Sequence, residues 1–96
     1  MITYLTHMKV SPENAAAFEA AMAEMTGKVR ECEPGVVYYG SFRSDEDPGT
    51  YVVIEIYRDE AAFKDHWKTD FIRPLLARTK PLVEGQTFDI KRYESP

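Results

Sequence analysis

Two neighbouring apolar segments constrain the fold of this chain more than any other feature of its sequence. Val36–Phe42 and Thr50–Tyr57 flank the turn-rich stretch Ser44-Asp45-Glu46-Asp47-Pro48-Gly49, which predicts a β-hairpin. Side chains alternate between the two faces of a strand, and each of these strands is apolar on both faces. In the first strand Val36, Tyr38 and Phe42 oppose Val37 and Tyr39, and in the second Val52, Ile54 and Ile56 oppose Tyr51, Val53 and Tyr57.

A sheet that is apolar on both faces needs a cover on each side. The chain has 96 residues, which is enough for one domain, residues 1–96, with one modest core. Helices of this domain can cover one face, but a large exposed apolar patch is rare on a monomer. We therefore expect a second copy of the chain to cover the other face, and we predict a homodimer that forms through the sheet.

The N-terminal third of the chain predicts a strand followed by a helix. Ile2–Val10 alternates in the manner of a strand. Ser11 and Pro12 are typical of a helix start, and Pro34-Gly35 of a helix end. Apolar side chains at steps of three and four residues form one stripe along the helix, which indicates its buried face. The stripe consists of Phe18, Met22, Met25, Val29 and Cys32.

The C-terminal part predicts further helices and a last strand. Asp59 is expected to cap a second helix, Glu60–Thr69, and Phe71 to about Lys80 is expected to add helical turns. Phe88–Tyr93 alternates as a final strand. The element order is therefore β-α-β-β-α-β. An antiparallel sheet with helices on one face is the ferredoxin-like plan of the α+β class.

Charge, hydropathy and motifs argue against several classes of protein. The net charge of −4 argues against a nucleic-acid binder, and no apolar run has the length of a membrane span. The first ten residues alternate, unlike a secretory signal, so we expect a cytoplasmic protein. Phosphate-loop, CxxC, HExxH and GxSxG motifs are all missing. The histidines, His7 and His66, are far apart, so we expect no metal site.

His66 is the strongest single candidate for a catalytic group. It lies on or beside the apolar stripe of the second helix, next to Trp67. Histidine is the side chain best suited to exchange protons near neutral pH. The alternative is a partly buried histidine that hydrogen-bonds to the backbone or to Glu55. The tyrosines and Trp67 likewise either line a pocket for a flat ligand or belong to the core.

Two stretches carry a resemblance to a known family. Glu33-Pro34-Gly35-Val36-Val37-Tyr38-Tyr39, followed by Glu55-Ile56-Tyr57-Arg58-Asp59-Glu60-Ala61-Ala62-Phe63-Lys64-Asp65-His66, resembles the antibiotic biosynthesis monooxygenase domain. The resemblance covers essentially the whole chain and implies a dimeric α/β barrel. Oxygenases of this family need no metal or flavin. An electron-rich hydroxyaromatic is deprotonated, and its anion passes an electron to O2 directly.

The resemblance also separates branches of the family. Small quinol monooxygenases and enzymes that process autoinducer-2 both carry a helix histidine where His66 stands. The autoinducer branch tends to have a His-Tyr pair where this chain has Asp70-Phe71. Haem-degrading members need other residues at the positions of Thr6, His66 and Leu76, so we do not expect haem degradation.

The resemblance and the residues together predict a cofactor-independent monooxygenase that acts on a small hydroxyaromatic or quinol with O2. His66 is the expected general base and Thr6 a hydrogen-bonding group. The expected pocket walls are Tyr39, Tyr57, Trp67 and Phe71.

Two alternatives remain open at this point. One is an isomerase- or lyase-like enzyme that uses His66 on a small oxygenated metabolite. The other is a dimeric barrel without activity that binds a ligand. A large cavity with aromatic and polar walls would favour an enzyme, and a filled interior would favour the last. Neither nucleic acid nor a membrane is an expected partner.

Overall fold

The computed structural model describes residues 1–96, and it confirms the predicted arrangement of strands and helices. The second helical region is divided in two, and two short 3-10 turns, Lys80–Leu82 and Glu84–Gln86, lead from it to the last strand. The elements are β1 (Ile2–Lys9), α1 (Pro12–Cys32), β2 (Val36–Arg43), β3 (Thr50–Tyr57), α2 (Glu60–His66), α3 (Ile72–Thr79) and β4 (Asp89–Glu94). No helix is both long enough and apolar enough to cross a lipid bilayer.

The four strands form one antiparallel sheet in the order β2-β3-β1-β4, which confirms the ferredoxin-like fold. β1 is paired on both sides, so its side chains lie near the middle of the sheet. Tyr4 is opposite Glu55 of β3 and Arg92 of β4. Residues opposite each other in an antiparallel pair share a face. Glu55 therefore points to the same side as Tyr4, the side that the helices cover.

The core lies between this face and the helices. The apolar stripe of α1 is buried as predicted, with one exception. Cys32, at the end of α1, is exposed rather than part of the core. The stripe packs with inward side chains of the sheet and with Leu75 of α3. The core residues from α1 and the hairpin are Phe18, Met22, Met25, Val29, Tyr39, Tyr51 and Val53.

Several details differ from the sequence-based expectation. α2 ends at His66 instead of Thr69, because the chain turns there and the Thr69 hydroxyl donates a hydrogen bond to the His66 carbonyl at 2.9 Å. β4 is shifted by one residue from the predicted Phe88–Tyr93. The register of β2 is irregular between Val36 and Tyr38. Val36 therefore lies on the helix-covered face, opposite Tyr57, whereas strict alternation predicted it on the face of Tyr38.

Candidate active site

His66 is the last residue of α2, and its position follows from where that helix begins. Asp59 caps the helix, and its carboxylate accepts a hydrogen bond from the Ala62 amide at 2.9 Å. Two turns later the His66 side chain enters the interior and is 1% exposed. Its Nδ1 lies 2.9 Å from both carboxylate oxygens of Glu33. Glu33 immediately follows α1, so the ends of two helices meet at this pair.

The Glu33 carboxylate determines which nitrogen of His66 carries the proton. A carboxylate only accepts hydrogen bonds, so Nδ1 must donate. In the neutral imidazole this leaves Nε2 with a free lone pair. Both side chains are buried, at 2% and 6% exposure, so water screens their interaction little. The pair therefore has the arrangement of a general base with a carboxylate that holds it in position.

Glu55 lies on the other side of the His66 ring. Its Oε1 is 3.9 Å from Nε2, too far for a direct hydrogen bond. The Tyr57 hydroxyl donates to the same oxygen at 2.5 Å. Burial raises the pKa of Glu55 above that of an exposed glutamate, and the nearby Glu33 charge adds to the rise. Burial, together with the Glu55 charge, raises the pKa of Tyr57, so this hydroxyl stays protonated as a donor.

A close approach of backbone segments holds the Glu33–His66 pair together. Gly35 follows Glu33 by two residues, and its carbonyl accepts a hydrogen bond from the Arg58 amide at 2.9 Å. A Cβ atom at position 35 would lie 2.7 Å from the Cβ of Ala62 on α2. Only glycine fits this contact. The backbone of the turn after α1 thus packs directly against the Ala62 side chain of the helix that carries His66.

A cavity of about 450 Å³ lies between the sheet and the helices, with His66 and Glu55 in its wall. Its walls are mainly apolar, since 13 of its 19 lining residues are hydrophobic. The polar groups converge from a few positions, among them Thr6 on β1 and Thr79 on α3. Lys80 and Gln86 also contribute to the lining. An apolar cavity with a few convergent polar groups is typical of small-molecule sites.

Comparison with known proteins identifies the family of this fold and site. Residues 1–74 match the model of the family "Antibiotic biosynthesis monooxygenase". The chain belongs to this family. It is 30% identical over 94 residues to "Putative monooxygenase YcnE" of Bacillus subtilis (strain 168), a match that covers 98% of this chain and 97% of that protein.

Solved structures of the family share the fold closely. The crystal structure of a "putative antibiotic biosynthesis monooxygenase" from Caulobacter crescentus CB15 superposes with a TM-score of 0.92 at 32% identity. That match covers 99% of this chain and 89% of the other. A protein of the same description from Deinococcus radiodurans has a TM-score of 0.88 at 21% identity, with 100% and 93% of the two chains covered. At 21% identity, the similarity to the Deinococcus radiodurans protein shows only that the fold is shared.

The structure of this family member brings most of the predicted site residues together. His66, Thr6, Tyr39 and Trp67 all line the cavity. The rings of Tyr39 and Trp67 have their centroids 5.7 and 5.8 Å from that of His66. The alternative interpretation of His66 was a hydrogen bond to the backbone or to Glu55. In the structure its side chain bonds to Glu33 instead.

Two predicted wall residues lie outside the lining. Tyr57 is completely buried, with its ring 5.6 Å from that of His66, and it acts on the cavity only through Glu55. Phe71 packs against the hydrophobic core. Their sequence positions indicated an inward direction, which a residue of the core and a residue of the cavity wall share.

Sequence reasoning missed Glu33 and did not count Glu55 as a site residue. A signal for Glu55 was present, because it is a charged residue at an inward position between Val53 and Tyr57. The only signal for Glu33 was its place at the start of a stretch that carries the family resemblance, because a charged residue after a helix is ordinarily solvated. Among all 96 residues no group of three or more His, Cys, Asp or Glu side chains is arranged to hold a metal ion.

Proposed function

We propose that this protein is a cofactor-independent monooxygenase that oxidises a small hydroxyaromatic or quinol with O2, and that His66 is its general base. The observation that carries the proposal is the buried Glu33–His66 pair in the wall of an apolar cavity. Membership of the antibiotic biosynthesis monooxygenase family supports the reaction class. The cavity supports the size and character of the substrate, a compact ring with few polar groups.

The first step is removal of a proton from the substrate hydroxyl. The hydroxyl binds between Nε2 of His66 and the carboxyl group of Glu55, which both face the cavity. Nε2 accepts the proton, and the buried Glu33 carboxylate stabilises the imidazolium that forms. Glu55 has a raised pKa, so it is the carboxyl group in this site that is best able to donate a hydrogen bond to the new anion.

The second step uses the electrons of the substrate itself. The anion transfers an electron to O2, and the two radicals combine into a peroxide at a ring carbon. The imidazolium of His66 gives its proton to the outer peroxide oxygen. The O–O bond then breaks, and the hydrogen on the same ring carbon leaves as a proton that joins the departing hydroxide. One oxygen atom thus leaves as water while the other stays as a carbonyl. The apolar walls exclude bulk water from these intermediates. Aromatic rings of Tyr39, Phe63 and Trp67 offer flat surfaces to the substrate ring.

The open cavity also bears on the two alternatives. A filled interior would favour a barrel without activity, and a space of about 450 Å³ argues against it. An isomerase- or lyase-like reaction would use the same base and the same walls. It differs in one measurable respect, since it consumes no O2.

We further propose that the active form is a homodimer through the uncovered face of the sheet. Apolar side chains of all four strands lie on this face, and the helices leave it open. Phe42 is 46% and Tyr93 55% exposed, while Leu5 and Ile54 lie between them at intermediate exposure. A contiguous apolar surface of this kind favours association with a second copy. Matching strands on the two copies would form the barrel that the family resemblance implies.

O2 consumption tests the proposed function. The purified protein, treated with a chelator, is assayed with hydroquinone, naphthoquinol and naphthol against an autoxidation blank. We expect uptake above the blank, and we expect His66→Ala to lower turnover by about 10²- to 10⁴-fold. Lys64→Ala, an exposed change on the same helix, serves as the matched control. Uptake that His66→Ala leaves intact would refute the role of His66, and absence of uptake would favour the isomerase reaction.

A further inference from the structure

A second, smaller groove touches the Glu33–His66 pair from the side of Glu33. Its volume is about 210 Å³, and it is lined by the end of α1, the following turn and α2. Glu33 lines this groove but not the main cavity, whereas His66 lines the cavity but not the groove. The hydrogen bond between Nδ1 and the carboxylate is therefore a connection between two separate spaces.

The two spaces differ in chemical character. Only three of the nine residues that line the groove are hydrophobic, and Arg58 and Asp65 on its walls are exposed. A groove of this size has room for several water molecules, each of which occupies about 30 Å³ in the liquid. The cavity is mainly apolar, and a bound ring displaces water from Nε2 of His66. When a ring covers Nε2, the Nδ1 side of the imidazole still reaches the groove through Glu33.

We propose that the groove is a proton port, in which Glu33 passes protons between bulk water and His66 while a ligand fills the cavity. The proposal extends the role of His66 as a base and rests on it. The substrate O–H bond breaks as an Nε2–H bond forms. The Nδ1–H bond then breaks as a Glu33 O–H bond forms, and Glu33 gives this proton to water in the groove.

The same steps in reverse return a proton to the oxygen atom that leaves as water. The complete oxygenation therefore releases no net proton, and His66 regains its starting tautomer. A port of this kind lets the ligand-filled cavity exchange a proton with solvent without releasing the reactive anion or its peroxide. It also gives Glu33 a second task beyond orienting the ring.

Glu33→Gln separates the two tasks of Glu33. A glutamine oxygen still accepts the hydrogen bond from Nδ1, but an amide cannot take up and release the proton. NMR of protein with ¹⁵N-labelled histidine is recorded with naphthalene filling the cavity, since this ring has no hydroxyl group to oxidise. It reports both the tautomer of His66 and the rate at which its Nδ1 proton exchanges with water. The chain has only two histidines, so His66→Ala identifies the signal. We expect the tautomer to persist and the exchange to slow by about 10²-fold. Unchanged exchange with the tautomer intact would overturn the proposal.

Blocking the groove tests the port without altering Glu33. Cys32 is the only cysteine of the chain, is exposed and lines the groove. Alkylation with N-ethylmaleimide places a bulky group there, and methyl methanethiosulfonate places a small one as the matched control. We expect the bulky label to slow exchange at Nδ1 and the small label to leave it unchanged. Equal exchange with both labels would overturn the proposal.

These measurements need neither substrate nor O2, so their outcome is separate from that of the uptake assay. Absence of O2 uptake would count against the monooxygenase and leave the port intact. Unchanged proton exchange would count against the port and leave the monooxygenase intact.

Discussion

The contact between Gly35 and Ala62 allows a substitution outside the cavity to test how the site is held together. In Gly35→Ala the new Cβ would lie 2.7 Å from the Cβ of Ala62, whereas ordinary contacts begin at 3.4 Å. The turn and α2 must therefore separate by about 0.7 Å. Overpacking of this kind costs about 1–3 kcal/mol of unfolding free energy. Neither atom belongs to a flexible side chain, so little of this cost can be avoided.

The same separation reaches the Glu33–His66 pair. Glu33 lies two residues before Gly35, and His66 lies one helical turn after Ala62. The bond between Nδ1 and the carboxylate is 2.9 Å long, and lengthening by this amount takes it out of hydrogen-bonding range. We therefore expect Gly35→Ala to lower both the urea midpoint and turnover, with little change in the urea m-value.

A double-mutant cycle supplies the control. Ala62→Gly alone costs about 1 kcal/mol, because glycine is a poorer helix former than alanine. It also removes the methyl group that the new Cβ would meet, so Gly35→Ala combined with Ala62→Gly should recover stability relative to the simple sum. We expect a favourable coupling of about 1–3 kcal/mol. A Gly35→Ala protein with wild-type stability and an intact His66 signal, or a cycle with no coupling, would refute this account of the site.

Three further predictions concern Glu55, its tyrosine partner and the open face of the sheet. A raised pKa means that the folded state holds the Glu55 proton more tightly than the unfolded state does, so this residue lowers stability as pH rises above about 4.3. Glu55→Gln should therefore stabilise the protein at neutral pH and have little effect at acid pH, as urea titrations at both will show; equal effects would contradict this. Tyr57→Phe removes a hydrogen-bond donor from Glu55 and should cost about 1–3 kcal/mol while raising the pKa of Glu55 further, which the pH dependence of unfolding measures. Ile54→Glu should dissociate the proposed dimer in analytical ultracentrifugation, whereas Ala23→Glu on the exposed side of α1 should not; a dimer that persists in Ile54→Glu would exclude the sheet face.

The fold was predictable because periodicity carries most of its information. The two apolar strands around one turn and the stripe of α1 are local patterns, and both appear in the structure as expected. The irregular register at Val36 could not be predicted in this way, because the sequence of one strand does not show where its pairing with the neighbouring strand shifts. The exposure of Cys32 has a similar cause. It continues the stripe in sequence, but the helix ends there and nothing packs over it.

The site was predictable only in part, because it depends on contacts across long sequence separations. His66 stood out as a proton-exchanging residue beside an apolar stripe. Its partner Glu33 is 33 residues away at the end of another helix, and only the packing of the turn at Gly35 against α2 brings the two together. Tyr57 and Phe71 illustrate the converse. Their patterns indicate an inward direction but not whether a side chain reaches the cavity or stops in the core.

Isotope labelling of oxygen tests the central claim most directly. The protein reacts with naphthoquinol under ¹⁸O2, and mass spectrometry follows the label in the product, in water and in hydrogen peroxide. A monooxygenase with His66 as its base places one labelled atom in the product and the other in water, and His66→Ala loses this incorporation. Labelled hydrogen peroxide beside an unlabelled product, or equal incorporation in His66→Ala, would contradict the proposal.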